Sequence, residues 1–241
     1  MSLNERRAVL LGVTSTSASF EPLSCARDDV MGLTVALESH GDGTPNFEVR
    51  PMIVDESETW QVGDLLSAID LELEDAKHFL FYFSGHGHVT QFGLELVTPE
   101  KEHNLDSGIY FDVLLHRFNT APADTEITVI LDCCFSGEAG DTARAANEAL
   151  QHRFTTLREG ITILASSGRT EESRADAEGP SDFTGAVIER LNADVKRTTI
   201  LDVYSWAKEQ VPAQTPVLRT FGSRHSALRA ADRATANEDM V

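Results

Sequence analysis

Apolar residues gather in six short runs along the chain: AVLLGV (8–13), FEVRPMIV (47–54), KHFLFYF (77–83), EITVILD (126–132), GITILAS (160–166) and PVLRTF (216–221). Runs of this length predict strands, and continuous ones such as FLFYF predict strands buried on both faces. Between them the period changes. Residues 24–39 open at Ser24, carry acids in the first turn and space Val30, Leu33, Val35, Ala36 and Leu37 as a helix does. Residues 58–74 repeat that spacing with Trp60, Leu65, Leu66, Ile69 and Leu73, and residues 109–118, 183–191 and 201–211 follow suit. Strand and helix in alternation predict an α/β fold, with a mainly parallel sheet covered on both faces.

Two stretches read as loops. One spans about 89–107, with a short hairpin expected in FGLELVTP, and the other spans 138–159, rich in Ala, Glu and Arg. The domain is expected to occupy 1–223, and the alanine- and charge-rich tail at 224–241 is expected to fray. No internal repeat or low-complexity tract is evident.

A chain of 241 residues with 41% apolar content suits one large globular domain. No apolar run approaches the ~20 residues that span a bilayer. MSLNERRAVLLGV sets two arginines before a short apolar stretch, but with no small-residue cleavage site behind it the segment fits a first strand better than a signal peptide. Cys25, Cys133 and Cys134 are odd in number and two are adjacent, a poor disulfide framework, so a reducing, cytoplasmic location is expected. Acids outnumber bases 39 to 20, for a net charge of −19. That surface repels nucleic acid and anionic membranes and favours a basic peptide, although acidity also serves solubility.

Two of the runs end in reactive residues. FLFYFSGHGH (79–88) carries His86, and ITVILDCCFSG (127–137) carries Cys134, each expected just past a strand in a small-residue turn. Ligands of open α/β sheets sit beyond the carboxyl ends of the strands, so a base and a thiol would meet in one crevice. An imidazole makes a neighbouring thiol nucleophilic and shuttles its proton. The backbone amides of Gly87 and Cys134 are candidate oxyanion donors, with Gly85 and Gly87 permitting a tight turn. A single cysteine or histidine at a strand end is ordinarily a packed residue, and the coincidence of both is what points to a site. A zinc site of His86, His88, Cys133 and Cys134 is disfavoured: adjacent cysteines on a strand point apart, and neither C-x-x-C nor H-x-x-x-H occurs. No metal or other cofactor is expected.

Tyr82-Phe83-Ser84-Gly85-His86-Gly87 and Asp132-Cys133-Cys134-Phe135-Ser136-Gly137 resemble the two active-site signatures of the caspase-like cysteine peptidases, closest to the metacaspase branch. His86 precedes Cys134 by 48 residues, against about 50 in caspases. The resemblance extends from the first strand to about Phe221 and includes Asp182-Phe183-Thr184, which looks like the family's helix start after the fifth strand. It implies a three-layer sandwich around a six-stranded, mostly parallel sheet, and a cysteine endopeptidase acting through a thioester acyl-enzyme.

The segment Ser24-Cys25-Ala26-Arg27-Asp28 looks like the metacaspase Cys-x-Asn-Asp element. Matched residue by residue, Cys25, Asp28, Ser84 and Asp132 would line the primary specificity pocket. Two carboxylates there suit a guanidinium or ammonium, implying cleavage after Arg or Lys. Read without the resemblance, Asp28 stabilises a helix N-terminus together with Asp29, Asp132 is a polar strand terminus and Cys25 is packing. Departures are Phe135 in place of a histidine and Arg27 in place of an asparagine, and nothing matches the metacaspase calcium site, which puts calcium activation in doubt. Segment 138–159 stands where relatives are cut during activation, making Arg144, Arg153 and Arg158 candidate cleavage sites, for the enzyme itself or an activating protease. The other readings are a catalytically silent adaptor and a hydrolase of small amides. By analogy the chain is expected in a prokaryotic stress or antiviral defence pathway.

Overall fold

Alternation along the central strands divides the interior into two cores. The computed structural model describes residues 5–15, 20–55, 60–90, 93–99, 108–136, 157–166, 179–222 and 225–236. The elements run β1 (Arg6–Val13), α1 (Cys25–Glu38), β2 (Glu48–Val54), α2 (Val62–Leu73), β3 (His78–Thr90), β4 (Gly93–Val97), β5 (Gly108–Tyr110), α3 (Phe111–Thr120), β6 (Glu126–Ser136) and β7 (Ile161–Ala165). They continue with α4 (Asp182–Asn192), β8 (Arg197–Thr199), α5 (Ile200–Gln210), β9 (Val217–Phe221), β10 (Ala227–Ala230) and α6 (Arg233–Ala236).

The sheet follows the order β2-β1-β3-β6-β7-β9, parallel throughout except for β9. These are the six strands the apolar runs predict. The hairpin expected near FGLELVTP contributes β4, antiparallel to the end of β3, and β5 pairs with β4. On one face Phe79, Phe81 and Phe83 pack with residues of α2 and α3, and Phe118 lies 5.9 Å from both Phe79 and Phe81. On the other face Leu80, Tyr82, Ile130 and Leu164 meet α1, α4 and α5. Each of these rings, fully withdrawn from water, contributes about 1.5–3 kcal/mol. The three-layer sandwich is as expected. Among the described residues no helix is long and apolar enough to cross a membrane.

Three expectations are corrected. First, β3 and β6 do not stop at Phe83 and Asp132. Both continue through the reactive residues, paired one to one from His78↔Glu126 to His88↔Ser136. Second, Gly85 serves no turn: a Cβ there would stand 2.6 Å from the Phe83 ring, so the missing side chain makes room for that ring. Third, the stretch after Ser223 does not simply fray. Residues 227–230 form β10 against β8, with Ala227, Leu228 and Ala230 buried, and Arg6 and Asn46 donate to the carbonyls of Ala227 and Leu228.

Candidate active site

The long pairing of β3 with β6 makes His86 and Cys134 register partners. Adjacent strands lie about 4.8 Å apart, and position 134 shares the sheet face of Asp132 and Ile130, the face that α1 and α4 cover. The His86 ring is partly exposed, and its Nε2 lies 2.7 Å from the carbonyl oxygen of Glu21. A carbonyl only accepts, so Nε2 carries the proton and Nδ1 is the ring's basic nitrogen. Phe20 packs against the same ring, centroids 5.0 Å apart. The residues leading into α1 therefore fix both the tautomer and the orientation of the imidazole.

Two residues earlier on the same strands, Ser84 and the half-buried Asp132 meet Asp29 of α1. Asp29 is fully buried. Its Oδ2 accepts from the Ser84 hydroxyl at 2.7 Å and its Oδ1 from the Ser181 amide at 2.7 Å. Asp132 accepts from the hydroxyls of Ser166 (2.9 Å), Ser181 and Thr184 (2.6 Å). Since Thr184 gives its proton to Asp132, Tyr82 is the donor in the 2.7 Å contact between the two hydroxyls. Ser181 thus bridges the two acids while capping α4, its Oγ accepting from the Thr184 amide. Burial, and then the charge of Asp132, push the Asp29 carboxyl up to about 8. Burial raises Asp132 as well, and it holds the Tyr82 hydroxyl neutral.

Gly12 lets α1 come this close. It pairs with Ser84 in the β1–β3 register, and a Cβ on it would meet the Ala26 carbonyl oxygen at 2.6 Å. The glycine brings Asp29 within reach of Ser84. His86 and Cys134, a base and a thiol on paired positions, thus stand two residues beyond the Asp29–Asp132 pair.

The caspase-domain family profile matches residues 5–227. The chain belongs to the caspase-domain peptidase family. Caspase-1 from Spodoptera frugiperda shares 15% identity over 96% of this chain and 92% of its own, with a TM-score of 0.62. The Drosophila initiator caspase Dronc shares 11% over 91% and 80%, at 0.63, and a Geobacter sulfurreducens protein 17% over 96% of both chains, at 0.59. At these identities the likeness is one of fold. No curated protein sequence matches the chain.

Within this caspase fold the expected residues separate. Ser84 and Asp132 lie in the acidic cluster, and Cys25 stands one helical turn before Asp29. Asp28 does not join them. It is exposed and accepts from the Gly179 amide at 3.0 Å. The reason is helical: Asp29 lies on the buried stripe with Ala26, Val30 and Leu33, whereas Asp28 faces out with Arg27, Met31 and Val35. Arg158 lies apart as well. Its guanidinium donates to the carbonyls of Phe118, Thr125 and Glu159. Thr125 precedes β6, about 30 Å from position 134 at ~3.3 Å per residue, so Arg158 sits at the opposite end of β6 from Cys134. Arg144 and Arg153 lie outside the described residues. Among the described residues no cluster of His, Cys, Asp and Glu could hold a metal. Glu21 and Ser181 escape the sequence reading, which takes Asp29 only as helix N-terminal charge and Thr184 only as part of a helix start. The signal that could have singled out Asp29 is its place on the apolar stripe of α1.

Proposed function

We propose that the chain is a cysteine endopeptidase that cuts after arginine or lysine. The carrying observation is the pairing of His86 with Cys134 across β3 and β6, with the imidazole fixed through Nε2 on Glu21. In this reading Nδ1 of His86 takes the thiol proton as sulfur adds to the scissile carbonyl carbon. The amides of Gly87 and Cys134 hold the oxyanion. The imidazolium then gives its proton to the departing amine, leaving a thioester. Water, deprotonated by His86, hydrolyses the thioester and regenerates the thiol. No cofactor takes part in these steps.

Asp29 and Asp132 supply the basic preference, with Asp29 in the role the sequence suggested for Asp28. Ser84 orients Asp29, and Cys25 borders it. Cleavage within 138–159, after Arg144 or Arg153, is the activating event under this proposal, carried out by a second molecule or by an upstream protease. A reducing cytoplasm and a prokaryotic stress or antiviral defence pathway are the proposed setting.

The competing reading is a silent adaptor on the same fold. Both reactive residues are retained, which favours the enzyme. The deciding experiment treats the protein with an acyloxymethyl ketone bearing arginine. Covalent labelling of wild type, absent in Cys134→Ala, is the expected result. A wild type that stays unlabelled, even after cleavage within 138–159, would support the adaptor.

A further inference from the structure

Asp29 and Asp132 meet on one serine, and among the described residues no Lys, Arg or His forms an ion pair with either. Their hydrogen bonds among the described residues come from hydroxyls and an amide: Ser84 and Ser181 for Asp29; Ser166, Ser181 and Thr184 for Asp132. Two carboxylates sharing one serine, Asp29 fully buried and Asp132 half-buried, do not both ionise cheaply without a cation, so the pair retains a proton. The upward displacement of both acids agrees with that geometry. Such a pair titrates as a unit.

Resting on the reading that this cleft takes a basic side chain, we propose that the arginine or lysine enters in exchange for the proton held between Asp29 and Asp132. Selection of a basic residue therefore strengthens as pH rises. The charge balance favours the exchange. The empty cleft holds one negative charge and one proton. The filled cleft holds two negative charges and the positive charge of the substrate. The net charge buried is the same in both states, and the proton leaves to solvent. Binding by exchange thus avoids adding uncompensated charge to a site shielded from water.

Other titratable groups at this end of the sheet are Tyr82 from β3, held neutral by burial, Asp28 and Cys25 from α1, and Asp182 at the start of α4. His86 and Cys134 lie farther along β3 and β6, while β7 ends in Ser166. The dyad's own titration affects every substrate alike and cancels in a ratio.

The test compares kcat/KM for two peptides that differ only in arginine or citrulline at the cleaved residue, from pH 6 to pH 9. Citrulline keeps the shape and lacks the charge. The arginine-to-citrulline ratio is expected to climb by up to about tenfold per pH unit and to level off above about pH 8, the range in which Asp29 titrates. In Asp29→Asn the ratio is expected to be small and flat. Where turnover is too slow to measure, titration calorimetry of Cys134→Ala with the same peptides reads the same ratio from Kd. A ratio well above one but constant with pH would overturn the proton exchange and leave basic selection standing. A ratio near one at every pH would overturn basic selection and this inference together.

Discussion

The two ends of the central sheet handle buried charge in opposite ways. At the N-terminal ends of the strands Arg6 lies half-buried over the Phe47 ring, 4.3 Å from its centroid, and donates to the carbonyls of Ala227 and Leu228. Glu126 offsets part of its desolvation and in turn accepts from the amide and hydroxyl of Ser226. His78 is neutral there, on the Thr128 hydroxyl at 3.0 Å. Charges at this end have partners of opposite sign, and their work is to bind β10 to the sheet. At the C-terminal ends two carboxylates meet across Ser181, with hydroxyls and amides as their partners among the described residues. One end closes the fold. The other keeps two acids together, which a cationic substrate side chain would complete under the proposed function.

The largest effect expected from breaking that contrast falls on Asp29. Removing one partner of a buried charged contact costs about 2–5 kcal/mol. Asp29→Asn should accordingly lower kcat/KM for an arginine peptide, relative to its citrulline counterpart, by about 100-fold. Asp28→Asn, on the solvent face of the same helix, should change that ratio less than about threefold. The two variants differ by one position and one helical face. A larger loss in Asp28→Asn than in Asp29→Asn would return the pocket to the residue the family motif suggested.

That single-residue shift shows where the sequence was legible. The six main strands stand out as apolar runs because burial on both faces requires them, and α1 stands out through its period. Asp29 lies on the buried stripe of Ala26, Val30 and Leu33, but in sequence it reads as helix N-terminal charge, and the match to Cys-x-Asn-Asp draws attention to Asp28 instead. The extensions of β3 and β6 were not legible. Ser-Gly-His-Gly and Asp-Cys-Cys-Phe-Ser have the composition of turns, and it is their pairing with each other, and of β3 with β4, that makes them strand. Nor was β10, whose partner β8 is only three residues long and which is secured by Arg6 and Asn46 from distant parts of the chain. The Glu21 carbonyl leaves no trace in sequence, because any residue supplies a carbonyl.

Stability against pH sharpens the same contrast, since the two ends respond with opposite sign. Burial holds His78 well below its usual range, so the unfolded chain binds a proton that the folded one refuses. Its contribution is present above about pH 6.5 and is lost as pH falls below it. Asp29 is raised to about 8, so the folded chain keeps a proton that the unfolded one gives up. Its contribution is fully present below about pH 4 and declines as pH rises towards 8. Each group adds a slope of at most about 1.4 kcal/mol per pH unit. Denaturant unfolding between pH 4 and 9 should show His78→Gln flattening the acid side and Asp29→Asn the alkaline side. If one substitution flattens both sides, the two ends are not independent.

The smallest expected effect concerns Arg158, which joins the start of β7 to the end of α3 at the N-terminal end of the sheet. Its amide donates to the Asn119 side chain at 2.7 Å, and its guanidinium donates to Thr125 at 2.8 Å, Phe118 at 3.2 Å and Glu159 at 2.9 Å. The guanidinium is half-buried, and burial lowers its affinity for its proton. Bonds of this kind are individually worth about 1 kcal/mol, and a lost charged donor leaves carbonyls that water can partly reach. Arg158→Ala should therefore reduce the free energy of unfolding by about 1–2 kcal/mol. It should leave kcat/KM for the arginine peptide unchanged, because the acidic cleft lies at the other end of β6. The same variant separates a fastener from a processing site. A fastener loosens the start of β7, seen as faster amide exchange at Ile161–Ile163, and leaves cleavage within 138–159 as it was. Abolished processing at unchanged stability would instead make Arg158 a cleaved residue and show that its bonds to the three carbonyls open readily in solution.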